Sequence, residues 1–230
     1  MRMELFAYLL GIMLGDAGKL HSEQTRFLSM NLDLQLTMKH DSNQRMGEFA
    51  CVAGNALGIP MKRIADKGPT GADRTGKNPS NNYRWNSARS PLLAWMFTVG
   101  LGLSPGKTTT THPVAMEWVR TTPRFFRIRF IQGVADSDGC VKKSEVEITS
   151  VPNADFVTLV LKELGLRTAR TTYENGEERG SMVYWHDALA LPIFSEFVRS
   201  YRFDILQGYR TRKPRQWKKW GLTASPSEMN

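Results

Sequence analysis

The chain has 230 residues, 41% hydrophobic and 23% charged, the balance of one or two small folded domains and not of a disordered or collagen-like chain. Its 31 lysines and arginines against 22 acids give a net charge of +9, which favours a polyanionic partner such as nucleic acid or an anionic surface. Cys51 and Cys140 stand 89 residues apart and supply neither a disulfide framework nor a zinc cage, so a reducing compartment is expected.

The first predicted element is the apolar run from Leu5 to Gly15 behind Arg2. It has the outline of a secretory leader, but it is shorter than the roughly 20 residues of a membrane span, and it recurs mid-chain, which a leader has no reason to do. Helices are expected near residues 4 to 16, 43 to 57 and 91 to 100, and strands near 19 to 28, 31 to 39, 60 to 66 and 82 to 87. In the strand 31 to 39, Asn31, Asp33, Gln35, Thr37 and Lys39 alternate with Leu32, Leu34, Leu36 and Met38, so one face is core and the other polar. Asn, Gln and Lys also pair with base edges, so this face is either solvated or a reading surface.

Ser104-Pro105-Gly106-Lys107, the threonines Thr108 to Thr111 and His112-Pro113 form a linker rich in turn residues. It is not a phosphate loop: Leu101 stands where the motif needs glycine, and Pro113 spoils the helix that should follow. From about residue 123 to 201 the helix-strand pattern repeats.

The repeat is visible in the residues. Leu9-Leu10-Gly11-Ile12-Met13-Leu14-Gly15-Asp16 is echoed 122 positions on by Ile131-Gln132-Gly133-Val134-Ala135-Asp136-Ser137-Asp138. Asn55-Ala56-Leu57-Gly58 then matches Glu163-Leu164-Gly165, and Tyr83-Arg84-Trp85 matches Val183-Tyr184-Trp185; Pro91 and Pro192 are each expected to open a helix. From acid to Leu-Gly the distance shrinks from 42 residues to 27, so the second copy is the more compact.

Gly11 with Gly15, and Gly133 with Ser137, are small residues at i, i+4, on one helix face that lets backbones approach closely. Ordinary packing accounts for that spacing but not for an acid in the last turn of both helices, Asp16 and Asp138, where negative charge opposes the helix dipole by ~0.3 to 1 kcal/mol. Brought together, the two acids make sense beside a divalent cation; Asp136 points elsewhere and is expected to be a structural cap. Oxygen donors without cysteine suit Mg2+ (or another divalent cation such as Mn2+), and phosphodiester hydrolysis is the chemistry such a site performs.

Leu9 to Ala17 and Ile131 to Gly139 resemble the two signature motifs of the LAGLIDADG homing endonucleases, in the single-chain form typical of archaeal introns, and the downstream echo extends the resemblance over residues 4 to 201. The first motif departs at Leu14, where the pattern has an earlier acid, and at Ala17, where it ends in glycine. The resemblance implies an α+β fold of two pseudo-twofold related αββαββα subdomains, each with a four-stranded antiparallel sheet, together forming a DNA-binding saddle. The expected layout is a first repeat over residues 1–102, a linker over 103–114, a second repeat over 115–203 and a basic extension over 204–230.

It implies further that Asp16 and Asp138 are the metal-binding acids, with Ala17 and Gly139 beside them, and that Gly11, Gly15, Gly133 and Ser137 form the helix interface. Lys19, Gln35, Lys39 and Lys142 are auxiliary catalytic candidates, with ordinary phosphate contacts the alternative. The DNA surface is expected to use Asn31, Asp33, Gln35, Thr37, Lys39, Arg63, Arg84, Lys107, Lys142, Lys143 and Arg170, extended by Arg210, Arg212, Lys213, Arg215 and Lys218, which interleave with Trp217 and Trp220. A nine-residue strand spans ~30 Å at ~3.3 Å per residue, about nine base pairs. The implied function is metal-dependent, site-specific double-strand DNA cleavage by a monomer that promotes intron mobility in the cytoplasm, nucleoid-associated in a prokaryotic host. The alternatives on the same scaffold are a maturase binding its host intron RNA and a noncatalytic DNA-binding regulator; retention of both acids favours the nuclease.

Overall fold

The computed structural model describes residues 2–15, 31–36, 42–64, 81–104, 107 and 109–199. Helix α1 (Arg2–Leu14) buries every residue from Ala7 to Leu14, as expected of a helix that is apolar all round. Its main partner is α4 (Arg124–Asp138), which buries Phe126 and the run Phe130–Asp136. The two helices form the centre of a continuous hydrophobic core that reaches both sheets.

On each side a helix covers a sheet: α2 (Ser42–Ala56) in the first half and α5 (Ala154–Glu163) in the second. Helix α5 turns Phe156, Val157, Val160 and Leu161 inward at helical spacing. Both helices end at a glycine in the left-handed region, Gly58 at φ +76° and Gly165 at φ +88°. Ile59 N donates to Gly54 O at 2.8 Å, and Leu166 N to Leu161 O at 3.1 Å, the bond that closes such a terminus. The echoed Leu-Gly pairs therefore do the same job in the two halves.

The first sheet has β1 (Asn31–Leu36), β2 (Met61–Ile64) and β3 (Asn81–Ser87), antiparallel in the order β1-β3-β2. The second has β4 (Gly139–Val141), β5 (Glu145–Thr149), β6 (Thr168–Thr172) and β7 (Glu178–Tyr184) in the order β4-β5-β7-β6. The order β1-β3-β2 thus repeats β5-β7-β6. The strand expected over residues 19 to 28 lies outside the described residues, so the first sheet shows three strands where the second shows the expected four.

Two sequence expectations need correction. Pro91 opens α3 (Pro91–Trp95) at the first helical position, with Ser90 Oγ accepting from Leu92 N at 3.2 Å; a π-helical turn, Met96–Gly100, follows. Pro192 is not at the start of its helix: the helical residues that follow are 196–199. It sits in the turn after α6 (Trp185–Ala190), where its carbonyl accepts from Gln132 Nε2 at 2.9 Å. The tryptophan echo also fails in register: Trp85 lies within β3, against Gly47 of α2, whereas Trp185 begins α6.

The linker is fastened to the second half. Asn153, buried, accepts from Val114 N at 2.8 Å and donates to Thr109 O at 3.1 Å. A 3-10 turn, Glu117–Thr121, leads into α4, and within it Trp118 Nε1 donates to Gly100 O at 3.0 Å.

Candidate functional site

Helices α1 and α4 run parallel and meet backbone to backbone. A Cβ on Gly11 would lie 2.2 Å from Phe130 O, and one on Gly133 would lie 2.1 Å from Tyr8 O. These are the same contact seen from both sides, since Phe130 stands 122 residues after Tyr8 and Gly133 stands 122 after Gly11. Further along, a Cβ on Gly15 would strike Ser137 Oγ at 2.0 Å and approach the Asp138 carboxyl carbon to 3.1 Å. Ser137 Oγ is turned back to donate to Gly133 O at 2.9 Å, which keeps the contact narrow.

Asp138 is the last residue of α4, half-buried, and Gly15 closes the first turn after α1. Asp16 and Ala17 follow directly in the chain but lie outside the described residues. Two parallel helices thus bring their C-terminal ends together, each carrying about half a negative charge, with a carboxylate added between them. The donors on offer are carboxylate and main-chain oxygens, which fits a hard divalent cation that completes its shell with water and phosphate. Gly139 is not a left-handed terminator as its type suggests: at φ −84°, ψ 136° it is extended. Its lack of a side chain serves close approach, since a Cβ would lie 2.1 Å from Ala135 O and 3.0 Å from the Phe194 ring.

Asp136, two residues earlier, is 1% exposed and takes no part in that end of the helix. Tyr8 Oη donates to it at 2.8 Å across the helix pair, and Ser195 donates to it through its N at 3.0 Å and through its Oγ. Burial, then the Asp136 charge, push the Tyr8 phenol well above its ordinary value. Asp136 therefore caps the turn at Ser195 and joins the halves. At the other end of the pair Arg129 binds Glu4 at 2.9 Å and Gln132 at 2.8 Å.

The two sheets each turn one face away from the helices. In the first, the register sets Asn31 opposite Asn86 and Asn86 opposite Lys62, Asp33 opposite Arg84, and Gln35 opposite Asn82. Asn86 and Lys62 share the face away from buried Trp85. Arg63 does not: it stands opposite Trp85, on the helix-side face of the edge strand β2, and the exposed Lys62 takes the place expected of it. Thr37, Lys19, Lys39, Arg210, Arg212, Lys213, Arg215 and Lys218 lie outside the described residues.

In the second sheet Val146, Ile148, Ser181 and Val183 are fully buried toward the helices. Arg170 stands opposite Ser181 and shares that side, donating to Thr158 Oγ1 of α5 at 2.7 Å and to Asp155 at 2.8 Å, and pairing with Glu178. It is thus committed to holding β6 on α5 and is no part of the open face. Lys142 and the exposed Lys143 sit where β4 turns into β5, with Lys142 N bonded to Glu145 O at 2.8 Å; Lys107 is exposed in the linker. Sequence reasoning missed Glu147. Its side chain is 3% exposed on the open face, yet Lys142 binds it there and Arg179 reaches it with Nε at 2.8 Å and Nη2 at 2.6 Å. Burial works to raise the Glu147 carboxyl, but the bonds from Lys142 and Arg179 outweigh it and hold it below its usual value.

No family model and no curated protein matches the chain. Solved structures do. It is similar to mesophilic variants of the homing endonuclease I-DmoI, at 16% identity over 87% of this chain and 96% of that one, with a TM-score of 0.53. I-DmoI in complex with DNA and Mn matches at 16% identity over 88% of this chain and 98% of that one, TM-score 0.52. Full-length DUF199/WhiA from Thermatoga maritima matches at 13% identity over 91% of this chain and 61% of that one, TM-score 0.52. At such identities the likeness is one of fold: the chain has the LAGLIDADG fold, with two antiparallel sheets.

Proposed function

We propose that this LAGLIDADG-fold chain is a site-specific endonuclease that hydrolyses a phosphodiester bond on each strand of a long, asymmetric DNA target, is encoded within an intron and promotes its mobility. The observation that carries this reading is the meeting of Asp138 with Gly15, the residue before Asp16, where two helix C-termini converge. In support, the homing endonuclease I-DmoI shares the fold and has been solved in complex with DNA and Mn and with DNA and Ca. Lys62 on the open face of the first sheet, and Lys142 and Lys143 in the turn between β4 and β5, offer chemistry suited to phosphates.

The chain's own contribution is placement. The backbone contact at Gly11 and Gly133 leaves no slack between α1 and α4, so the spacing of Asp138 from the residue that leads into Asp16 is fixed before any duplex arrives. Asp138 and Asp16 are the residues that would hold Mg2+ or Mn2+, which when bound supplies charge against the scissile phosphate and an activated water. Lys142, ion-paired with Glu147, is held in position to donate to a phosphate oxygen.

Replacing Asp138 by Asn tests this directly, on supercoiled plasmid carrying the joined exons that flank the reading frame. The parent should linearise the plasmid with magnesium and not with chelator. Asp138→Asn should fold and bind as the parent does, because it keeps the size of the side chain and removes a charge opposed to the helix dipole, yet cleave orders of magnitude more slowly. A variant cutting at the parent rate overturns the mechanism; a parent that binds the site and never cuts it identifies a noncatalytic DNA-binding regulator.

A further inference from the structure

The second sheet carries a feature that phosphate attraction does not explain. Burying an ionised carboxylate is costly unless it is fully partnered, and Glu147 is buried on the sheet face turned away from α5, the described helix that covers the other face. It is partnered by the two cations of that face, and they meet it differently. Lys142 offers a single ammonium, while Arg179 lays two nitrogens, Nε and Nη2, on one oxygen, Oε1.

Arg179 reaches this face by an irregularity. The pairing of β6 with β7 shifts between Thr171 and Thr172, which stand opposite Gly180 and Glu178, so Arg179 is the extra residue of a bulge. Bulges re-aim side chains. Its guanidinium lies 5.3 Å from the centre of the Tyr173 ring, and its side chain is 30% exposed. With Nε and Nη2 on Glu147 and the ring beside the plane, the group is fixed in orientation. Nη1 has no hydrogen-bond partner among the described residues, and Nη2 retains a second hydrogen.

The surrounding charge points the same way. Residues 115–199 hold 11 basic and 12 acidic residues, a net charge of −1, so this half is poorly placed to attract phosphate by charge alone. A guanidinium held rigid with its end edge outward suits a pair of acceptors at fixed spacing, and in a duplex major groove that pair is O6 and N7 of guanine.

We propose, resting on the DNA-binding reading above, that Arg179 is a specificity-determining residue that reads one guanine in the half-site under the second sheet, and that Glu147 is the positioning residue that aims it. Lys142, on the other Glu147 oxygen, completes the partnering of the carboxylate and is not part of the reading edge.

The test uses the full chain and a library of duplexes with a randomised central segment, in calcium, with the bound fraction sequenced. The parent should recover a motif containing one guanine whose enrichment falls roughly tenfold or more in Arg179→Gln while the other positions keep theirs. Arg179→Lys, which retains the charge and loses the fork, should lose the same position. Glu147→Gln should weaken that position alone, and thermal melting checks that each variant is folded. A motif unchanged in both Arg179 variants overturns the proposal, as does an equal fading of all positions, which marks a phosphate contact. A merely structural bridge would move the melting temperature and leave the motif intact. If the parent recovers no motif at all, the site-specific reading itself fails.

Discussion

Residues 1–114 carry 13 basic and 8 acidic side chains, whereas residues 115–199, built on the same plan, carry 11 and 12. In the second half seven of the eleven basic side chains are held in ion pairs. Arg120 and Arg127 bind Glu163, Arg129 binds Glu4, Arg167 binds Asp187, Arg170 binds Asp155, and Lys142 with Arg179 binds Glu147. Residues 200–230 restore the balance with 7 basic against 2 acidic residues. Two halves that share a helix contact, a strand order and a glycine terminus therefore differ in charge: the first is basic by itself, whereas the second is near neutral and is followed by a basic segment.

The largest effect is expected where the halves are alike. Gly11→Val and Gly133→Val each drive a side chain into a carbonyl of the other helix, and each should cost about 3 kcal/mol or more, read by chemical denaturation. Destabilisation by only one of the two would show that the helices do not share the interface equally.

Removal of residues 209–230 probes the difference in charge, since it takes the net charge from +9 to +4. Binding should weaken by similar factors on matched and unrelated duplexes. The log-log salt slope should become shallower by about 0.9 for each phosphate that the shortened chain leaves unneutralised; an unchanged slope would return the attraction to the folded second half.

A smaller effect sharpens the contrast inside the helix pair. Tyr8→Phe removes one of the donors to buried Asp136 and should cost about 1 to 3 kcal/mol. Because the folded state holds the Tyr8 proton well above the ordinary value of 10, Tyr8 contributes stability below that pH which is lost as pH rises through the folded value. Melting temperatures of the parent should therefore fall above pH 10, and less so in Tyr8→Phe.

The smallest effect is at low pH. Glu147 is held below its ordinary value of 4.5, so its contribution is present above that pH and is lost as pH falls through the folded value. Melting temperature measured downward from pH 5 should drop less steeply in Glu147→Gln, which has no proton to gain.

What could be read in the residues followed from periodicities that the fold preserves. Small residues at i, i+4 led to the α1–α4 contact, the alternation from Asn31 to Gln35 to a strand in register with β3, and the Leu-Gly echo to two helix termini. What could not be read depended on phase. Alternation says that successive residues take opposite faces, not which face Arg63 or Arg170 takes, and their places follow from Trp85 and Ser181 across the ladder. Lys62 and Asn86 were within reach, by carrying the Asn31 parity across β3. Arg179 was not, because a bulge breaks the period of two. Pro192 stands four residues before the helical residues 196–199 instead of at their start, since Gln132 and Asp136 engage the segment 192–195 from inside.

The bond between Tyr8 and Asp136 also decides which helices can pair. At the 122-residue offset the counterpart of Tyr8 is Phe130 and that of Asp136 is Leu14, so the interface holds one phenol and one acid, on opposite helices. Were two copies of α1 to pair, each phenol would meet a leucine; were two copies of α4 to pair, each carboxylate would meet a phenylalanine and lose its phenol donor. Either exchange strands buried polar groups at about 1 to 3 kcal/mol apiece, whereas the pairing within one chain satisfies them. A contact that looks self-complementary in its glycines is thus heterotypic in its polar atoms, and a half released from one molecule would discriminate against its own kind.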